Sequence, residues 1–296
     1  MRGDAFYTVH PTINLAFFLA VMLITAFVLH PVITGISLIA ACVYAVLLKG
    51  RKAVLFQLCG LLPMIIIVAL LNPLFNHAGT KVLFYLHNGN SVTLEAVAYG
   101  IVSACMFGAL VMWFLCLNAV MTSDKYIYLF GRIIPALSLI FSMALRFVPR
   151  FTKRIGKVLE AQRSLGTDFG KNPVKAVKQG LSAVSVTTTW ALESAVNISD
   201  SMKSRGYGLP GRTSFSIYRF DKRDAVLAVI TALCTALSIA AMATRHVWFR
   251  FYPSIKYSET GAFSVVGCIA FAALCLLPVL LNIKESFKWR VIKSRL

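Results

Sequence analysis

Charge is scarce in this sequence, and acid is scarcer than base. Of 296 residues, 14% are charged, with 11 Asp and Glu against 30 Lys and Arg. Soluble domains carry about 25% charged residues. With 58% hydrophobic residues and a mean hydropathy of +0.75, the chain reads as an all-α integral membrane protein. Six stretches contain no Asp, Glu, Lys, Arg or His: 11–29, 32–48, 53–71, 96–121, 225–243 and 262–282. A secondary transporter usually holds ionisable groups inside its spans, so their absence argues against that class. There is no GxxxxGK[ST] phosphate loop and no HExxH, which excludes the usual nucleotide and zinc-protease sites. The histidines (His10, His30, His77, His87, His246) are scattered, and the seven cysteines lie inside apolar runs without CxxC spacing. No catalytic set, metal site, cofactor site or disulfide frame is expected, so any ATP hydrolysis belongs to a partner. No small-residue cleavage site follows the first apolar run, so no removed signal peptide is expected.

Each of the six runs is about long enough to cross hydrocarbon as a helix. His30-Pro31 alone separates the first two, giving a tight helical hairpin. Lys49, Arg51 and Lys52 mark the second connection as cytoplasmic. The N-terminus is then cytoplasmic and the loop 72–93 external. Lys81 is the only Lys or Arg in that loop, and its Asn-Pro and Asn88-Gly89-Asn90 turns suit a folded excursion or a re-entrant one.

The net charge of +19 invites a nucleic-acid reading. However, the bases lie between and beyond apolar runs, where they orient a membrane protein, and no nucleic-acid partner is expected. Residues 150–223 hold fourteen Lys or Arg against five acids, so this region is cytoplasmic. The run 126–148 before it therefore does not span in the simplest count. Arg132, Pro135, Ser138, Ser142 and Arg146 form a narrow polar stripe at helical spacing, which suits a helix lying along the bilayer surface. The alternative is a further span, with both arginines buried or snorkelling. The last two runs return the chain to the cytoplasm with a basic tail. The expected organisation is 1–121 membrane helices, 122–223 coupling helices, 224–283 membrane helices and 284–296 a basic tail, with three long amphipathic helices in the coupling region.

After Pro149 an amphipathic helix is expected up to Gly166. Asn172-Pro173 then opens a long helix. Val174, Val177, Leu181, Val184, Thr188, Ala191, Ala195, Ile198 and Met202 recur at three and four, the seam of a helix packed along its length. From Pro173 to Arg205 such a helix would run about 50 Å. Arg205 is next on the seam, followed by Gly206. This is either a plain helix stop, with base favoured at the C-terminus, or a docking tip whose guanidinium pairs with carboxylates.

His10-Pro11, Met121-Thr122-Ser123-Asp124, Leu145-Arg146-Phe147-Val148-Pro149 and Lys203-Ser204-Arg205-Gly206-Tyr207 occur in order along most of the chain. In these the sequence resembles the transmembrane T component of energy-coupling factor (ECF) transporters, ABC-type importers of vitamins and transition-metal ions. The resemblance implies coupling helices whose two tips each dock through an Ala-Arg-Gly-like motif on one of two ABC-type ATPase subunits. It also implies that these helices cradle a small membrane S component. Ser204, Arg205 and Gly206 match the second motif. At the first tip Ser164-Leu165-Gly166 stands in its place, with Leu165 at the arginine position and Arg163 about 200° away around the helix. Glu160-Ala161 with Gly166 also fits the opening of the EAA loop of pore-forming ABC permeases, which keeps that class as the alternative.

Overall fold

A computed structural model of the chain describes residues 4–85, 91–165, 173–207, 209, 218–244, 247–257 and 261–293. In chain order the helices are α1 (Pro11–Phe27), α2 (Pro31–Lys49), α3 (Arg51–Phe56), α4 (Leu62–Phe75), α5 (Leu94–Val120), α6 (Ser123–Ile133), α7 (Pro135–Ser164), α8 (Pro173–Ser204), α9 (Lys222–Ala243) and α10 (Ala262–Lys293). Two short antiparallel ribbons join them, β1 (Val82–Tyr85) with β2 (Ser91–Thr93), and β3 (Phe249–Arg250) with β4 (Lys256–Tyr257). Among the described residues, five helices are long and apolar enough to span a bilayer: α2, α3 with α4, α5, α9 and α10. The sixth apolar helix, α1, has 17 residues. A π-helical turn, Gln57–Leu61, carries α3 into α4, and Gln57 Nε2 there donates to the Cys42 carbonyl of α2 at 3.0 Å.

The chain divides into two compact units, one of Met1–Lys125 with Tyr218–Leu296 and one of Tyr126–Ile217. Trp113 of α5 is fully buried in the first. Phe17 and Phe18 of α1 meet it edge-on at 5.9 and 6.1 Å. Its indole donates to Ser37 Oγ of α2 at 3.0 Å, and Ser37 is hydrogen-bonded in turn to Thr25 of α1. A buried Trp N–H needs such a partner, and this one ties three helices together. Gly100 of α5 lets α4 come close, since a Cβ there would lie 2.7 Å from the Ala69 carbonyl oxygen.

His10-Pro11 and His30-Pro31 start their helices by one shared device. Proline sits at the first helical position, and Nδ1 of each histidine accepts a backbone N–H, from Thr12 at 3.4 Å and from Val32 at 3.2 Å. The ring must be neutral at Nδ1 to accept. Burial pushes both histidines below the ordinary value of 6.5, opposed at His10 by the charge of Asp224. The unfolded chain then binds more protons just below pH 6.5, so this stability is present above that pH and is lost on acidification through the folded values. The melting temperature of the detergent-solubilised protein is expected to fall between pH 7 and 5. The double variant His10→Asn/His30→Asn, which keeps a capping side chain, should flatten that fall. An unchanged slope would refute the assignment.

At the far end of α2 from His30, the N-terminal segment is fastened over the helix ends. The Ala5 N–H donates to Asn282 Oδ1 of α10 at 2.8 Å, and the Tyr44 hydroxyl of α2 donates to Asp4 Oδ2 at 3.0 Å. Arg223 of α9 donates to Thr8 Oγ1 at 2.9 Å. Lys125, at the start of α6, is almost fully buried, and its Nζ donates to the Tyr7 carbonyl at 2.6 Å. Partners 40 to 277 residues apart leave no local trace in a sequence.

The second unit corrects the sequence reading of 126–148. The helix breaks at Ile134 (φ −134°, ψ 88°), and α7 then runs without interruption through Pro149. A residue before proline is pushed toward extended backbone, and here Pro135 takes the first helical position while Ile134 gives way. Arg132 thus lies on α6 and Ser138, Ser142 and Arg146 on α7, so the polar stripe does not lie on one helix. Ser138 Oγ donates back to the Ile127 carbonyl at 3.1 Å and pins the corner. Of the three coupling helices α6 is short, at 11 residues, against 30 and 32 for α7 and α8.

Candidate functional site

The α7 and α8 helices lie against one another in opposite directions. Gln162 Nε2 donates to Ser182 Oγ at 3.4 Å, and eight residues back along α7, Arg154 stands over Trp190, eight residues forward along α8. Still farther along, Phe147 and Ile198 line the same small cleft. Trp190 is the centre of the pairing. The Arg150 and Arg154 guanidinium carbons lie 5.1 and 4.8 Å from its ring centroid, and Phe151 meets it edge-on at 6.1 Å. Phe147 stacks on Phe151 at 5.7 Å. Guanidiniums over an indole are attracted by about 0.5–1 kcal/mol each at exposed sites. The bases of α7 thereby become part of the contact.

The expected seam meets α7 over only part of its length. Ala191, Ala195 and Ile198 line the cleft beside α7, and Met202 is half-buried. Toward the other end of α8 the buried positions are Ala183 and Thr187. With Trp190 and Ser194 these form a second row at four, three and four, each one residue before the expected seam. Small side chains at 183 and 187 allow close approach, and the indole fills the space beyond. Val174, Val177, Leu181 and Val184 are left outward, at 74%, 64%, 65% and 50% exposed. The spacing alone carried both rows; the lone tryptophan was the available clue to which one faces α7.

The two tips differ. At the end of α8 the Gly206 N–H donates to the Lys203 carbonyl at 3.0 Å and the Tyr207 N–H to the Met202 carbonyl at 3.1 Å, with Gly206 at φ 75°. That is a Schellman cap, and glycine is there because the left-handed backbone disfavours any Cβ. Arg205 is the capping residue and its side chain is exposed, while the exposed Ser204 returns its hydroxyl to the Ser201 carbonyl at 2.9 Å. At the end of α7, Leu165 is 85% exposed, Arg163 is exposed, and Ser164 Oγ donates to the Glu160 carbonyl at 3.1 Å. Gly166 lies outside the described residues. At the position before the glycine one tip thus presents a cation and the other an alkyl group, with Arg163 two residues earlier on the second. Among the described residues no three His, Cys, Asp or Glu side chains are grouped to hold a metal ion.

Apolar helices of spanning length, with a separate unit built on two long helices of which α7 is strongly basic, define an all-α integral membrane protein of the multi-pass kind. The profile of the cobalt transport protein family (CbiQ) matches residues 6–215, and the chain belongs to that family. Its relatives include the energy-coupling factor transporter transmembrane protein EcfT of Lactobacillus helveticus, 35% identical over 92 residues, 30% of this chain and 33% of that protein. The protein of the same name from Listeria innocua is 29% identical over 219 residues, 68% of this chain and 81% of that one. EcfT of Lacticaseibacillus paracasei is 36% identical over 110 residues, 34% of this chain and 40% of that protein. The matches to the first and third thus span only about a third to two fifths of the relatives' own length.

Proposed function

We propose that this protein is the transmembrane coupling (T) subunit of an ECF-type ABC importer for a vitamin or a transition-metal ion, in the cell membrane with both termini cytoplasmic. The observation that carries this reading is the α7–α8 pair, ending in one cationic tip on a rigid cap and one apolar tip. Two partner ATPases dock at these tips and supply the ATP hydrolysis. A small S component lies on the outward apolar row Val174, Val177, Leu181 and Val184, and it alone selects the substrate. The α6 helix and the first half of α7, where Ile140, Phe141 and Val148 are exposed, lie along the cytoplasmic face of the lipid bilayer.

Unlike tips suit unlike ATPases. A mild-detergent pull-down of the tagged chain from native membranes is expected to bring two ABC ATPases and at least one small membrane protein. Leu165→Ala should weaken one ATPase and Arg205→Ala the other; loss of the same single ATPase in both variants would refute the asymmetry. Substrate binding by the purified chain without an S component would instead make it a pore-forming permease.

A further inference from the structure

Two features meet at the end of the first unit that holds the α1–α2 turn and the α9–α10 connection. The first is a cleft of about 500 Å³ between α2 and α10, lined by His30, Val32, Phe249, Tyr257, Cys268 and Ile269 among others. Its volume is that of a small-ligand site, about 300–1,000 Å³. Two of its walls are helices of spanning length, and its lining is mostly apolar. The second is the ribbon that closes it. Phe249 pairs with Tyr257, and in the next register Arg250 pairs with Lys256. Like charges directly opposite one another destabilise a ribbon. Both cations are exposed, and neither has a carboxylate within salt-bridge distance among the described residues.

We propose that the cleft holds an acyl chain of an anionic phospholipid whose phosphate is bound by Arg250 and Lys256. Successive residues leave a ribbon on alternate faces, so Phe249 and Tyr257, which line the cleft, share one face and the two cations share the other. A phospholipid divides in the same way between chain and headgroup. A phosphate between the two cations removes their mutual repulsion. His30 adds a donor: with Nδ1 accepting the Val32 N–H, the neutral ring carries its proton on Nε2, available to a lipid ester or phosphate oxygen in the cleft that His30 lines. The coupling-subunit reading supplies only the leaflet, the outer one, where basic residues are least expected.

The test uses the transporter complex purified with its partners, exposed to equal palmitoyl-oleoyl phosphatidylglycerol and phosphatidylcholine and examined by native mass spectrometry. The wild type is expected to retain one phosphatidylglycerol in preference to phosphatidylcholine. The surface variant Arg250→Gln/Lys256→Gln should reduce that preference roughly tenfold, the value of one charge-assisted contact. Ala272 of α10 also lines the cleft, and Ala272→Phe, which fills it, should remove the retained lipid of either class. Equal retention of both lipids, or a preference untouched by the double charge variant, would overturn the site. So would release by millimolar inorganic phosphate, because the chain would then contribute nothing. If Ala272→Phe does not fold, the charge variant still decides. The leaflet is read separately, from labelling of Lys256→Cys by an impermeant maleimide on intact cells. Labelling only after permeabilisation would reject the orientation and leave the lipid result standing.

Discussion

Arg205→Ala is expected to weaken the affinity of one partner ATPase about ten- to a hundredfold while leaving the fold intact. The side chain is exposed, and the cap it belongs to is built from backbone groups of Met202, Lys203, Gly206 and Tyr207. Truncation therefore removes a charge and leaves the Schellman geometry in place, and surface changes of this kind stay within about 0.5 kcal/mol of stability. A hydrogen bond to a charged group is worth about 1.5–3 kcal/mol, and each 1.4 kcal/mol is tenfold in Kd. Arg205→Lys should recover part of the loss, since an ammonium keeps the charge and lacks the guanidinium fork. Gly206→Ala probes the other half of the motif. It strains a backbone at φ 75° by roughly 1–2 kcal/mol and should lower the melting temperature as well as docking. Titration of each variant with the purified ATPase checks this. An unchanged Kd for Arg205→Ala would make Arg205-Gly206 a helix stop and nothing more.

The parts of this fold that the sequence shows are those decided locally. Runs without charge became the apolar helices, and His-Pro pairs became helix starts because cap and proline act within three residues. Arg205-Gly206 suits either a helix stop or a docking tip in the sequence, and the positive φ of Gly206 gives the glycine a reason inside the chain. Where two signals competed, spacing could not rank them. Pro135 and Pro149 both interrupt a helical pattern, yet only the residue before Pro135 left helical geometry. The two rows of α8 share one period, and the choice between them turned on how closely α7 approaches Ala183 and Thr187. The fastening of Asp4, Tyr44, Asn282 and Lys125 was not legible at all, because it joins residues remote in sequence. Its trace was only the presence of Asp4 and Lys125 beside apolar runs.

Lys125 gives the second large effect. Its ammonium is almost fully buried, donates to the Tyr7 carbonyl and lies 4.1 Å from the centroid of the Tyr7 ring. Burial lowers its pKa from 10.5 to about 8, against the field of Asp4, which raises it. The folded protein thus releases this proton at lower pH than the unfolded chain does. Between pH 8 and 10.5 the unfolded chain binds more protons, so stability from this group rises with pH. Each pKa unit is about 1.4 kcal/mol, which makes the full amplitude about 3 kcal/mol. Other groups also titrate in alkaline solution, so the raw pH profile mixes their contributions with that of Lys125. The difference between wild type and Lys125→Met cancels them. Methionine keeps the length and the packing, removes the desolvated charge and leaves the Tyr7 carbonyl without its donor, at about 1–3 kcal/mol. At pH 8 the relief of the charge offsets the loss of the bond, and the variant should melt near or above the wild type. At pH 10.5 only the loss remains, and the variant should be the less stable by about 1–3 kcal/mol. Parallel melting curves for the two proteins across that range would show that Lys125 titrates as an ordinary surface lysine and does not hold the N-terminal segment to the start of α6.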